Sequence, residues 1–92
     1  MIYISGKITG TDNYLEKFHE AEIQLDRKDV INPAKVNAQL PKVSYDQYME
    51  MAMCMLKMCN EIYMLKDWKD SNGAVLEYTY AKMHDYNIIF QK

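Results

Sequence analysis

Short apolar runs alternate along this chain with longer stretches of helical periodicity. Ile2-Tyr3-Ile4 opens it as a strand rich in β-branched and aromatic residues, ended by Ser5-Gly6. A loop runs through Thr9-Gly10, and Thr11 or Asp12 offers an N-cap for the helix that follows. Tyr14, Phe18, Ala21 and Leu25 recur at steps of four, three and four, the spacing of an amphipathic helix. Asp29 to Asn32 reads as a second strand stopped by Pro33, and residues 33–43, bounded by Pro33 and Pro41, read as irregular. Ser44 with Gln47 makes a capping box for a helix carrying Tyr48, Ala52, Met55, Leu56 and Cys59 on one side. Glu61 to Leu65 is the third strand. A polar loop, Lys66 to Ser71, holds the only tryptophan, Trp68. Ser71 or Asn72 caps a third helix running to about His84, with Ala74, Tyr78 and Ala81 inward, and Tyr86 to Phe90 closes the chain as a strand.

Strand-helix three times over, with a closing strand, predicts a single α/β domain over residues 1–92. The economical arrangement is a small doubly wound, Rossmann-like parallel sheet of four strands in order 2-1-3-4, with three helices on its two faces. Ligands of such sheets sit outside the carboxyl ends of the strands, where the chain reverses direction across the sheet. The loops at that point are Ser5 to Gly10 and Lys66 to Gly73.

Composition narrows the partners. A chain with 49% apolar and 26% charged residues is an ordinary globule. Its net charge of −2 supplies no field for a phosphate backbone, so polymeric nucleic acid is not expected. No apolar run approaches the ~20 residues of a membrane span, and Met1 to Ser5 lacks the charged flank of a signal peptide. The expected setting is therefore the cytoplasm, away from membranes. Cys54 and Cys59, five apart on a helix, point to different faces, neither bridging nor sharing a metal, and read as buried reduced thiols. His19 and His84 lack companion ligands and read as surface residues, so neither a metal nor another cofactor is expected.

The first loop, Ser5-Gly6-Lys7-Ile8-Thr9-Gly10, sets two glycines and two hydroxyls around a lysine. That composition lets backbone N–H groups approach a phosphate, although it is neither a Walker A sequence nor a dinucleotide fingerprint. Glycines there also serve a plain tight turn. In the second loop, Ser71-Asn72-Gly73-Ala74 leads to Glu77 in the opening turns of a helix. A carboxylate there is often a helix-dipole partner. Small Gly73 and Ala74 permit close approach, however, and the Tyr3 hydroxyl at the end of the first strand is placed to hold Glu77 in a nucleophile's pose. Trp68 either stacks on a base, worth ~1–3 kcal/mol, or caps the sheet edge.

Tyr3 to Gly10, Asn32-Pro33-Ala34, Cys59-Asn60-Glu61-Ile62-Tyr63 and Trp68 to Glu77 together resemble the small, often phage-encoded proteins of the DUF4406 family. Those in turn are similar to the nucleoside 2-deoxyribosyltransferase superfamily, which includes the deoxynucleoside 5′-monophosphate N-glycosidases. The resemblance covers nearly the whole chain. It implies that Glu77 is a nucleophile attacking the anomeric carbon, that Tyr3 orients it, and that Gly6 and Ile8 enclose a nucleoside. It implies that Ser71, six before Glu77, stands where the monophosphate hydrolases bind a 5′-phosphate with a serine. Asn60 stands where the enzymes carry an aspartate that assists the departing base, and an amide supplies no proton at neutral pH. The substrate-binding set expected on these grounds is Ser5, Gly6, Lys7, Ile8, Gly10, Asn60, Trp68, Ser71 and Gly73, around catalytic Glu77 and Tyr3.

Three functions remain open on the sequence. One is an enzyme that cleaves or transfers the N-glycosidic bond of a small-molecule deoxynucleoside or its monophosphate. The second, motivated by Asn60 and the short chain, is a module that binds a nucleotide in the same pocket without cleaving it. The third is an interaction domain, motivated by Met49, Met51, Met53, Met55 and Met58, which sweep round one helix and cannot all face one core. A homodimer or higher homo-oligomer through the Met49–Met58 helix is the simplest expectation for them.

Overall fold

The computed structural model describes residues 1–92. Its elements are β1 (Ile2–Ser5), α1 (Tyr14–Leu25), β2 (Val30–Ile31), α2 (Pro33–Gln39), α3 (Tyr45–Lys57), β3 (Glu61–Met64), α4 (Asn72–Met83) and β4 (Asn87–Phe90), with a single 3₁₀ turn at Trp68–Asp70. The four strands form one parallel sheet in the order β2-β1-β3-β4, with Tyr3 level with Ile62 and Ser5 level with Met64. This is the doubly wound order that the strand-helix alternation predicts. No helix is long and apolar enough to cross a membrane.

Side chains alternate across a strand, and here the alternation divides the core in two. Ile2 and Ile4 point to one face, where they meet Phe18 and Ala21 of α1, Ala34 of α2, and Tyr63 and Leu65. Tyr3 points to the other, among Leu56, Cys59, Ile62, Met64, Ala74 and Ala81. The odd positions of β1 therefore face α3 and α4. Ser5 follows Tyr3 on that face and is as fully buried as its apolar neighbours.

The fold corrects the sequence reading in four places. There are four α-helices instead of three, because residues 33–39 are helical. Asn32 caps that helix by accepting from the Ala34 amide at 3.0 Å, and Pro33 takes the first helical position, where its missing N–H costs nothing. Read as punctuation, Pro33 suggested a break; it is a start. Second, α1 begins after Asn13, without a side-chain cap, and not after Thr11 or Asp12. Third, β2 is only the two residues Val30 and Ile31, β1 runs one residue further, to Ser5, and β3 and β4 are each one residue shorter than expected. Fourth, Cys54 is exposed while Cys59 is buried. His19 and His84 both lie on the surface.

Candidate active site

On α4, Ala74, Glu77 and Ala81 are the buried residues, at steps of three and four that define one stripe against the sheet. Glu77 thus occupies a core position and is 5% exposed. A carboxylate carried there requires partners, and β1 supplies them. The Tyr3 hydroxyl donates to Glu77 Oε2 at 2.5 Å, and the Ser5 hydroxyl donates to Oε1 at 2.6 Å. Because Tyr3 and Ser5 are two apart on a strand, they share a face and grip the two oxygens side by side.

Burial is the larger influence on this carboxyl and pushes it up to about 7, with the Ser5 and Tyr3 hydrogen bonds pulling the other way. Glu77 is therefore poised between its two protonation states near neutrality. Tyr3 is held well above the ordinary phenol range, first by burial and then by the Glu77 charge. Tyr48 is raised for the same two reasons, in the same order. Both phenols remain protonated, and Tyr3 is the one that donates to the carboxylate.

Glu77 reaches the surface only through a narrow cavity of about 20 Å³, lined among others by Gly6, Ile8, Ser71, Tyr45, Tyr48 and Met49. That is room for about one water. Two larger cavities share its walls. One, of about 540 Å³, lies between the first loop and the α2–α3 connection and shares Ile8, Thr9, Tyr45 and Tyr48. The other, of about 220 Å³, lies at the start of α4, takes Lys7, Asp70 and Asn72, and shares Thr9, Tyr45, Ser71 and Gly73. The first turns of α3 roof the carboxylate: a Cβ on Gly73 would come within 2.9 Å of Met49 Sδ and 3.4 Å of the Tyr45 hydroxyl. No group of three His, Cys, Asp or Glu side chains is placed to hold a metal ion.

The expected site residues divide by place. Tyr3, Ser5, Gly6, Ile8, Ser71, Gly73 and Glu77 converge at this cavity. Ser5 is there as a partner of Glu77 and not as part of a ligand loop. The Ser71 hydroxyl accepts from the Ala74 amide at 3.1 Å as the α4 cap, which leaves its own proton to donate outward. Lys7 lines the 220 Å³ cavity, and its backbone N–H is committed to Asp67 Oδ1 at 3.1 Å. Asp67 also pairs with Lys17 of α1, so the loop after β3 is tied to both the first loop and α1. Gly10 has φ +75° and lines the 540 Å³ cavity, so it serves the turn that its composition suggests.

Two expected residues lie elsewhere. Asn60 precedes β3 at the amino ends of the strands, at the opposite end of the sheet from Ser5. Its oxygens accept there from Met1 N and from the Asn87 amide at 3.2 Å each. A parallel strand rises ~3.3 Å per residue, so the length of β3 separates Asn60 from the cavity mouth. Trp68 packs its ring on Tyr78 at 4.6 Å and near Phe90 at 6.1 Å; it caps the β4 edge and lines none of the three cavities. In the other direction, Tyr45, Tyr48 and Met49 roof the site without having been singled out for it. Helical spacing assigned Tyr48 to the core and Met49 to the methionine surface. Only the crossing of α3 over the start of α4 brings them to Glu77.

The comparison with family models covers almost all of the chain. A model described as "Domain of unknown function (DUF4406)" matches residues 1–90. The chain belongs to the DUF4406 family. The match takes in every element of this DUF4406 domain, from the β1 residues that hold Glu77 to the last residue of β4. No curated protein and no solved structure gives a significant match to it.

Proposed function

We propose that this DUF4406 domain cleaves or transfers the N-glycosidic bond of a deoxynucleoside or its 5′-monophosphate, with Glu77 as the nucleophile. The observation that carries the reading is the buried carboxylate held oxygen by oxygen by Tyr3 and Ser5 at the carboxyl ends of the strands, where doubly wound sheets bind ligands. The resemblance to the nucleoside 2-deoxyribosyltransferase superfamily supplies the reaction. A Glu77 oxygen attacks the anomeric carbon, the carbon–nitrogen bond breaks, and its electron pair leaves with the base, which takes up a proton through solvent. Water, or a second base in transfer, then displaces the Glu77 oxygen from the sugar. In hydrolysis the sugar keeps the hydroxyl, and the water's remaining proton replaces the one the base removed.

The two larger cavities fit the two ends of such a substrate. The 540 Å³ space, walled by Tyr14, Tyr45 and Tyr48, suits a planar base. The 220 Å³ space, with Lys7, the Ser71 hydroxyl and the start of α4, suits a phosphate, and Asp70 across it favours a single phosphate over a more highly charged group.

A second reading, binding without cleavage, is favoured by one observation: Asn60 lies at the far end of the sheet, so no acid enters the cavity from that position to serve the departing base. Incubation with a mixed pool of deoxynucleosides and their monophosphates, followed by desalting and mass spectrometry, separates the readings. Free base is the expected product. An intact nucleotide retained on the protein establishes the binder, and neither outcome removes both.

A further inference from the structure

Helix α3 buries Ala52 and Leu56 and turns a different side outward. Asp46, Met49, Glu50, Met53, Cys54 and Lys57 recur there at steps of three, one, three, one and three. With Leu76 of α4, itself 56% exposed, they border an open groove of about 740 Å³. The stripe carries Asp46 at one end and Lys57 at the other, with Met49, Glu50, Met53 and Cys54 between them, and its positions are numerically symmetric. Asp46 and Lys57, Met49 and Cys54, and Glu50 and Met53 are equidistant from the Met51–Ala52 peptide.

We propose that α3 pairs antiparallel with α3 of a second copy of this chain, about a two-fold axis at the level of that peptide. A two-fold contact must be self-complementary, each residue meeting the one its own counterpart meets in return. In this register Asp46 faces the second copy's Lys57 at both ends, and between them Met49 faces its Cys54 and Met53 faces its Glu50. A parallel pairing would instead oppose Asp46 to Asp46 and Lys57 to Lys57, which repels at both ends. Antiparallel packing also sets the two helix dipoles head to tail. Thirteen residues of helix span about 20 Å, a short contact, and Leu76 widens it from α4. Methionine's flexible thioether adapts to such a shared surface without close shape matching. Met49 belongs both to this stripe and to the roof of Glu77, so the pairing holds that roof in place.

The test is sedimentation of the whole chain. Wild type is a dimer, Met53→Lys is a monomer, and Lys57→Glu weakens association by roughly tenfold through two repelling ends. The double variant Asp46→Lys/Lys57→Glu restores it, since each swapped charge again meets its opposite. Both charge variants alter exposed side chains only, so they report on association even where Met53→Lys disturbs the helix. Met49→Cys adds an independent measure: mild oxidation joins it to Cys54 of the second copy, and Cys54→Ser abolishes the link. Wild type does not cross-link, because in this register the two Cys54 residues are offset by about 7.5 Å along the axis. A wild type that stays monomeric at about 0.5 mM overturns the proposal. So does a dimer indifferent to Met53→Lys and Lys57→Glu, and a double variant no better than Lys57→Glu overturns the register.

Discussion

The Tyr3 hydroxyl reaches Glu77 Oε2 at 2.5 Å across 74 residues of sequence, from the second residue of β1 to the middle of α4. Both groups are buried, so the contact bears on the protonation of the carboxyl as well as on its position. A donor this close stabilises the ionised form, while the surrounding core stabilises the neutral one. The balance, at about 7, underlies the predictions that follow.

Stability should fall as pH rises through neutrality. Unfolded, Glu77 titrates near 4.5; folded, it titrates at about 7. Below about 4.5 both states are protonated and the Glu77 contribution is fully present. Between the two values only the unfolded state ionises, and above about 7 the folded state must carry a buried charge. The difference is about 3 kcal/mol on the linkage relation. Urea denaturation of wild type and Glu77→Gln from pH 5 to 8.5 isolates it. The wild type should lose stability relative to the amide variant over that range, and parallel curves would show an unshifted carboxyl.

Tyr3→Phe should matter more at high pH than at low. Removing the phenol leaves an ionised Glu77 short of one donor, a loss of about 1–3 kcal/mol for a buried charged acceptor. A protonated Glu77 makes do with fewer donors, so the deficit should shrink at pH 5.5. Ser5→Ala should behave likewise, and the pair should be non-additive, since both bonds serve one carboxylate. Thermal melts at the two pH values check all three statements.

Gly6 and Gly10 should fail for different reasons. A Cβ at Gly6 would lie 2.7–2.9 Å from the Leu65 side chain, including its Cβ, so Gly6→Ala forces the first loop off the sheet at about 1–3 kcal/mol. Gly10 has open space but φ +75°, so Gly10→Ala carries backbone strain of about 1 kcal/mol. Leu65→Ala should therefore rescue part of the Gly6→Ala defect and none of the Gly10→Ala defect, as read by Tm.

The sheet was legible in the chain because its signals are local. Ile2-Tyr3-Ile4 and Glu61 to Leu65 are short apolar runs with turn residues beside them, and the Tyr14-Phe18-Ala21-Leu25 spacing announces α1. Glu77 and Tyr3 were also legible, since the switch point of a parallel sheet names the loops that reach it. What local pattern cannot carry is the crossing of elements distant in sequence. The roof of Tyr45, Tyr48 and Met49 over Gly73 depends on how α3 crosses α4, and periodicity reports only that Tyr48 lies on the inward side of its helix. Asn60 was misplaced because its sequence neighbours resemble a family motif, whereas the strand direction sends it to the other end of the sheet. Pro33 reads as the stop of a strand because a proline that ends a strand also serves as the first residue of a helix, and its partner Asn32 distinguishes the two.

Asn60 and Trp68 should accordingly be silent in ligand recognition. Asn60→Asp should leave ligand affinity and turnover unchanged. Trp68→Phe should lower stability, through lost packing on Tyr78 and Phe90, without changing the affinity for any nucleotide. Equilibrium dialysis with a labelled deoxynucleoside monophosphate, beside a melt of each variant, checks both.

The most direct test of the central claim is the rate of base release from a deoxynucleoside monophosphate, measured side by side for wild type and Glu77→Gln at pH 8. The amide keeps the size of the side chain and removes the nucleophile. The account predicts release by wild type and a loss of at least about a thousandfold in the variant, the scale on which removing an attacking group acts. Release at the same rate in Glu77→Gln would contradict it, and would leave Glu77 as a buried structural carboxylate held by Tyr3 and Ser5.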